Sequence, residues 1–435
     1  MLKVHSNQRV LTQNGKPFFY MGDTAWELFH RLSWEEAKLY FDNRAELGFN
    51  VVQAVLLAEA DGITVSNANG DCPLVEEDVT RLNEAYFTHC DRLVEYANQK
   101  GIVMGILPTW GKYWTKRAEQ KRYLDTGNAY AYGKLLGQRY RDAELIWILG
   151  GDTLPMDEEE RETMVQLALG LREGDSGNHL ITFHPLGPGQ SSVIYHNEPW
   201  LDFNMSQSSH GAHDHFNGLF IQHDYALTPA KPTLDGEPRY EQMQVGFYNR
   251  VQQVFDRFDD FDVRQAAYFA VFCGACGHTY GNNNIWQMWI PGRKPLIGAD
   301  IPWMDALHHP GARQMGYLRT LMEDHHFESL RPAQEVLLDG PDRGGERVLV
   351  LSSEDRSTVL VYSPYGRRFS LDNTRRNGLY EEVWFDPRYN ISHFIHKGVN
   401  QGMQTYTPPT EGRGQDWVLL VRKLEEKVES RKDDF

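Results

Sequence analysis

Continuous apolar runs, each followed by a stretch of helical period, alternate along the first three quarters of the chain, and this alternation limits the fold more than any other feature. NVVQAVLL (50–57), GIVMGILP (101–108), ELIWILGG (144–151) and HLITFHP (179–185) are apolar on both faces. Such runs suit parallel strands covered on both sides rather than strands with one wet face. Between them lie SWEEAKLYFDNRAELG (33–48), a helix over about residues 80–100 closed by Gly101, NAYAYGKLLGQRYRDA (128–143) and DEEERETMVQLALGLREG (157–174). Ser33 and Glu36 have the spacing of a capping box, and Gly48 supplies the stop, so that helix is marked at both ends. Less regular segments lead to LDFNMSQ (201–207) and KPTLDGEP (231–238), and the helix beginning near Asp262 leads to GHTYG (277–281). With the strand ending at Gly22-Asp23-Thr24, which follows an Asn14-Gly15 hairpin, eight strand–helix alternations are counted. That number favours a closed (β/α)8 TIM barrel over a doubly wound sheet.

The texture changes near residue 328. ERVLVLSSE, STVLVYSPYG, LYEEVWFDP and DWVLLVRK are short alternating segments bounded by Gly, Pro, Asp and Asn. They predict a small C-terminal antiparallel β-sandwich. The expected organisation is an α/β barrel over 1–328 and a sandwich over 329–435. A length of 435 residues accommodates both, and hydrophobic residues at 41% with charged residues at 24% give ample core.

Charge and cysteine usage narrow the function. Sixty acidic against 44 basic side chains leave a formal charge of −16, which disfavours nucleic acid, anionic membranes and polyanionic substrates. Four cysteines are too few for a disulfide scaffold at this length. The N-terminus lacks the apolar core of a signal peptide, and no apolar run is long enough to span a bilayer. A cytoplasmic chain is the expectation, or a secreted or periplasmic one if a signal peptide has been removed. Eleven Trp give mild support for sugar binding, because indole faces suit the apolar faces of sugar rings.

In a barrel the active site lies at the C-terminal ends of the strands. Polar or aromatic residues just past or within each apolar run are therefore the candidates. They are Asp23, Gln53, Trp110, Asp152, His184, Gln207, His210, Glu237, Tyr280 and Trp286. Asp152 follows two glycines that bring its carboxyl to the rim without crowding; the bland alternative is a helix N-cap. Glu237, in PTLDGEPRYE, is placed to attack as a nucleophile; the alternative is a surface ion pair with Arg239. Together they supply the two carboxyl groups of glycoside hydrolysis, one acid and one nucleophile, about 5 to 5.5 Å apart where configuration is retained.

Other clusters have blander readings. Cys273-Gly-Ala-Cys276 is read as packing, since Cys72 and Cys90 do not form a second such pair. His210, His213 and His215 could ligate a metal, but no H-E-x-x-H accompanies them, and no metal or organic cofactor is expected. In HTYGNNNIWQMW, Trp286 is either a sugar-stacking floor or core, and Trp289 is read as core.

GKPFFYMGDTAWELFHRLSWEEAKLYFDNRAELGFNVVQ, ILGGD, DGEPRYE and GHTYGNNNIWQMW resemble glycoside hydrolase family 140, the apiosidase-like barrels, over most of the chain. VWFDPR and YTPPTEGRGQDWVLLV resemble the collagen-binding-type β-sandwich that commonly follows such barrels. The resemblance implies a retaining mechanism, with the aspartate of Gly-Gly-Asp (Asp152) as acid/base and the glutamate of Asp-Gly-Glu-Pro (Glu237) as nucleophile. It also implies a carbohydrate substrate, a β-apioside of plant or pectic origin first, with other β-glycosides, including glucosides and galactosides, open. The wider clan of retaining barrels carries Asn-Glu after strand four, where this chain has Gly151-Asp152. Two other functions stay open on the residues alone: a metal-dependent barrel hydrolase and a non-catalytic carbohydrate-binding protein. Oligomeric state is not legible.

Overall fold

The structure is a computed structural model, and it describes residues 1–117, 121–248, 256–375, 377–399 and 402–424. It divides into two compact units, Met1–Thr320 and Leu321–Phe435. Among the described residues no helix is long and apolar enough to cross a membrane.

The first unit is mixed α/β. Its central strands are β1 (Tyr20–Thr24), β2 (Val51–Val55), β3 (Val103–Leu107), β4 (Leu145–Gly150), β5 (Leu180–His184), β6 (Asn204–Gln207), β7 (Thr233–Asp235) and β8 (Gly277–Tyr280). Six of them form one parallel half-barrel in the order β8-β1-β2-β3-β4-β5. All of their residues are buried, which is why their sequences lack the alternation of a half-wet sheet. The strands β6 and β7 pair with each other, also in parallel, as a separate short ladder. The sequence predicts all eight strands in one sheet. The structure differs because β6 and β7 are only four and three residues long. Single backbone-to-backbone hydrogen bonds, not ladders, link them to their neighbours among the described residues: Asp202 N to the Ile181 carbonyl (2.9 Å) and Cys276 N to the Thr233 carbonyl (2.9 Å).

Local signals in the sequence act as expected. Asn14 and Gly15 take positive φ (53° and 77°) in the turn joining Leu11–Gln13 to Lys16–Phe18. Ser33 and Glu36 form both bonds of the capping box at the start of the helix Trp34–Glu46.

That helix also delivers Arg44 to the barrel interior. Its Nε donates to Asp23 Oδ2 (2.6 Å), as does the Tyr40 hydroxyl (2.5 Å), and all three side chains are sealed from solvent. Removing one partner leaves an uncompensated charge, whereas removing both is far milder. Arg44→Met is expected to destabilise the unit by roughly 3–5 kcal/mol. Asp23→Asn/Arg44→Met should recover much of that loss, and scanning calorimetry of the two proteins checks both figures.

In the second unit a six-stranded antiparallel sheet runs Leu330–Pro332, Leu349–Ser353, Thr358–Ser363, Trp417–Lys423, Leu379–Asp386, Ile391–Val399. A three-stranded sheet of Leu337–Asp339, Phe369–Asp372 and Met403–Tyr406 accompanies it. Val350, Val361, Trp384, Trp417 and Leu419 of the larger sheet share one core with Phe369, Leu371 and Tyr406 of the smaller, the arrangement of a sandwich.

Candidate active site

The chain leaves β4 through Gly150, Gly151 and Asp152, all with positive φ (89°, 88° and 51°). A Cβ at Gly150 would run into the His184 carbonyl, and one at Gly151 would lie 3.0 Å from the backbone of Trp110. Only glycine fits both positions, and aspartate is among the few residues that tolerate the third. The turn is held by hydrogen bonds at each step: Gly111 N to the Gly151 carbonyl (2.9 Å), Gly151 N to the His184 carbonyl (3.2 Å) and Asp152 N to His184 Nδ1 (3.1 Å). The effect is to aim Asp152 into a cavity. Capping of the next helix, Glu158–Gly174, falls to Asp157, whose carboxylate accepts from Glu160 N (2.9 Å).

Glu237 is presented by the turn after β7. Gly236 N donates to the Ser206 carbonyl (2.8 Å), and Gln53 Nε2 donates to the Gly236 carbonyl (3.0 Å), so the backbone next to Glu237 is clamped from two strands. Its carboxylate meets two histidines. His210 Nε2 lies 3.1 Å from Oε1, and His184 Nε2 lies 3.0 Å from Oε2, close but off line for a full hydrogen bond. The tautomer of His184 follows from its other nitrogen. A backbone N–H can only donate, so Nδ1, facing Asp152 N, must be the bare acceptor, and the proton sits on Nε2 toward Glu237. Arg239, the alternative ion-pair partner, donates to the His213 carbonyl and to Gln265 Oε1 (3.0 Å).

The two carboxyls are driven in opposite directions. Burial and the charge of Glu237 push Asp152 up to about 6, against smaller opposing effects from His184 and a hydrogen bond from Gln207. Burial would raise Glu237 as well, but the two imidazoles against its carboxylate, His184 and His210, outweigh it and bring Glu237 down to about 2. One group is thus poised as an acid and the other as an anion, the division of labour that paired-carboxylate chemistry uses.

Both carboxyls open into one cavity of about 330 Å³. Of the residues singled out from sequence, Trp110, Asp152, Gln207, His210, Glu237 and Trp286 line it. His184 stands behind Glu237, its ring edge-on to Trp26 (5.3 Å between centroids). Three others are placed elsewhere. Asp23 is committed to Arg44 and Tyr40 and does not line the cavity. Gln53 is fully buried among Tyr20, Thr24 and Gly236, where it supports the backbone rather than facing the cavity. The Tyr280 hydroxyl donates to Glu241 Oε2 (2.6 Å), away from the cavity.

The histidines of the loop after β6 go to separate partners. His210 faces Glu237, His213 lies between Asp256 (2.8 Å) and Asp262 (3.0 Å), and His215 packs against Phe220. Among the described residues no group of three or more His, Cys, Asp or Glu is set to hold a metal ion.

Sequence reasoning missed several lining residues: Trp26, Glu59, Tyr240, Phe247 and Tyr248. Trp26 lies two residues past β1 and Glu59 four past β2, so extending the strand-end filter by one turn of chain would have found them. Phe247 and Tyr248 lie in a long loop after β7, where no periodic signal exists.

Residues 5–329 match the family model described as "Apiosidase-like, catalytic domain", and residues 331–422 match the one described as "Putative collagen-binding domain of a collagenase". Among solved structures, one titled a glycoside hydrolase is 31% identical, with 98% of this chain and 97% of that one covered and a TM-score of 0.89. Another, a glycoside hydrolase family 5 protein from Bacteroides vulgatus ATCC 8482, is 32% identical, with 97% and 93% covered and a TM-score of 0.88. No curated protein matches the chain.

Proposed function

Because the chain belongs to the apiosidase-like catalytic-domain family and is a glycoside hydrolase, we propose that it is a retaining β-apiosidase in which Asp152 is the acid/base and Glu237 the nucleophile. The observation that carries this reading is the pair of carboxyls in one cavity with opposite surroundings, Glu237 held by two imidazoles and Asp152 lifted by burial beside it. In the first step a Glu237 oxygen attacks the anomeric carbon. Asp152 gives its proton to the glycosidic oxygen, which leaves as an alcohol with the bond electrons. In the second step Asp152, now a carboxylate, takes a proton from water, the hydroxide attacks the anomeric carbon, and Glu237 departs as the free carboxylate. Trp26, Trp110 and Trp286 supply faces for sugar stacking and, with Tyr240, exclude water from the reacting bond.

The cavity volume sits at the low end for ligand sites, which suits a single small sugar such as a branched pentose. For the fold, this reading takes β6 and β7 as completing a closed eight-strand barrel, supported by the hydrogen bonds that span the gaps on either side.

The test is incubation with an aryl β-apioside and a panel of other aryl β-glycosides, with proton NMR of the first-formed sugar. Release of apiose with its β configuration kept is the expected result. Release of only another sugar would replace the substrate class, and an inverted first product would remove the double-displacement mechanism.

A further inference from the structure

Several carboxyls of the described residues around the site are consumed by protein partners. Asp23 is held by Arg44 and Tyr40, and Asp235 by the Ser208 hydroxyl (2.7 Å) and Asn217 (2.9 Å). Glu27 is held by His30 (2.8 Å) and the Ala60 amide (2.9 Å), and Glu241 by Tyr280. Glu59 lines the same cavity as Asp152 and Glu237, yet no described residue hydrogen-bonds its carboxyl.

Its backbone, by contrast, is fixed on both sides. The Ala58 carbonyl accepts from the Tyr113 hydroxyl (2.8 Å) and the Ala60 amide donates to Glu27 Oε1 (2.9 Å). Lys112, whose charge acts on Glu59, is paired with Asp61 (3.0 Å). A side chain delivered to a cavity by a rigid turn and left without a protein partner is arranged to receive a ligand, since a polar group that is buried on binding must then be satisfied by what binds.

We propose that Glu59 is a substrate-positioning residue whose carboxyl hydrogen-bonds a hydroxyl group of the sugar held against Asp152 and Glu237. This rests on the glycosidase reading above. Burial, with the charges of Asp152, Glu27 and Glu237 against the weaker opposing one of Lys112, pushes Glu59 up to about 8. At neutral pH it therefore carries a proton and can donate as well as accept. That adds no third negative charge where positive charge develops on the sugar.

Two measurements test it on the full-length chain and on Glu59→Gln and Glu59→Ala: titration with free apiose read by quenching of Trp emission, and kcat and KM on an aryl β-apioside. Glu59→Ala should weaken apiose binding and raise KM about 10- to 100-fold, with kcat changed less. Glu59→Gln should stay within about 3-fold, because its amide keeps a donor and an acceptor in place. Equal affinities in all three proteins, equal loss in both variants, or no apiose quenching in the unmodified chain would each overturn the proposal. Failure of the glycosidase reading shows differently, as absent turnover of every glycoside by the unmodified chain while the apiose titration still reads Glu59.

Discussion

Glu237→Gln is expected to lower kcat by on the order of 10⁴-fold or more, the scale seen when a covalent nucleophile is removed from a cooperating set. The amide is isosteric but carries no negative charge and cannot form a stable glycosyl ester. It also sets an amide N–H₂ against one of the two imidazoles, so the contact of either His184 or His210 with a carboxylate oxygen is lost. That loss should appear as a modest fall in melting temperature, read separately from turnover. A variant with unchanged melting and unchanged kcat would remove Glu237 from the mechanism, whereas collapse of both would call for Glu237→Asp, which keeps the charge and withdraws it by one methylene.

The pH dependence of kcat/KM gives the second large effect. On the proposed mechanism the first step needs Asp152 protonated, and its pKa is raised to about 6, so activity should fall as pH rises through that value. The step needs Glu237 ionised, and its pKa is lowered to about 2, so loss on the acid side should come only near there. The expected profile is therefore flat across the mildly acidic range with a decline on the alkaline side. Asp152→Asn should abolish that decline and cost about 10²- to 10⁴-fold with substrates whose leaving group needs a proton. The cost should shrink for dinitrophenyl glycosides, whose leaving group needs none. An alkaline limb that persists unchanged in Asp152→Asn would assign it to another group.

Strand-end reasoning singled out Asp152 and Glu237, which the structure sets at one cavity, for a physical reason. Each directly follows glycine, and Gly150 and Gly151 before Asp152 take the positive φ of a sharp turn. It misplaced Asp23, Gln53 and Tyr280, all on or within strands, because one sequence cannot show which strand residues meet a buried partner instead of the cavity. Asp23 needed knowledge of Arg44, 21 residues away on a helix. The continuity of the sheet past β5 was also hidden. Strands of three and four residues satisfy an apolar pattern as well as longer ones do, and only ladder geometry separates a paired strand from a neighbouring one.

His184 touches the backbone of Asp152 with one ring nitrogen and the carboxylate of Glu237 with the other. It works as a strut, and a rigid strut couples the two ends it joins. On the proposed mechanism, a substitution that moves the turn at residue 152 is expected to shift residue 237 through the imidazole, so the two carboxyls are not tuned one at a time. Any redesign for a larger sugar would have to move the turn, the ring and the carboxylate together, as a single part.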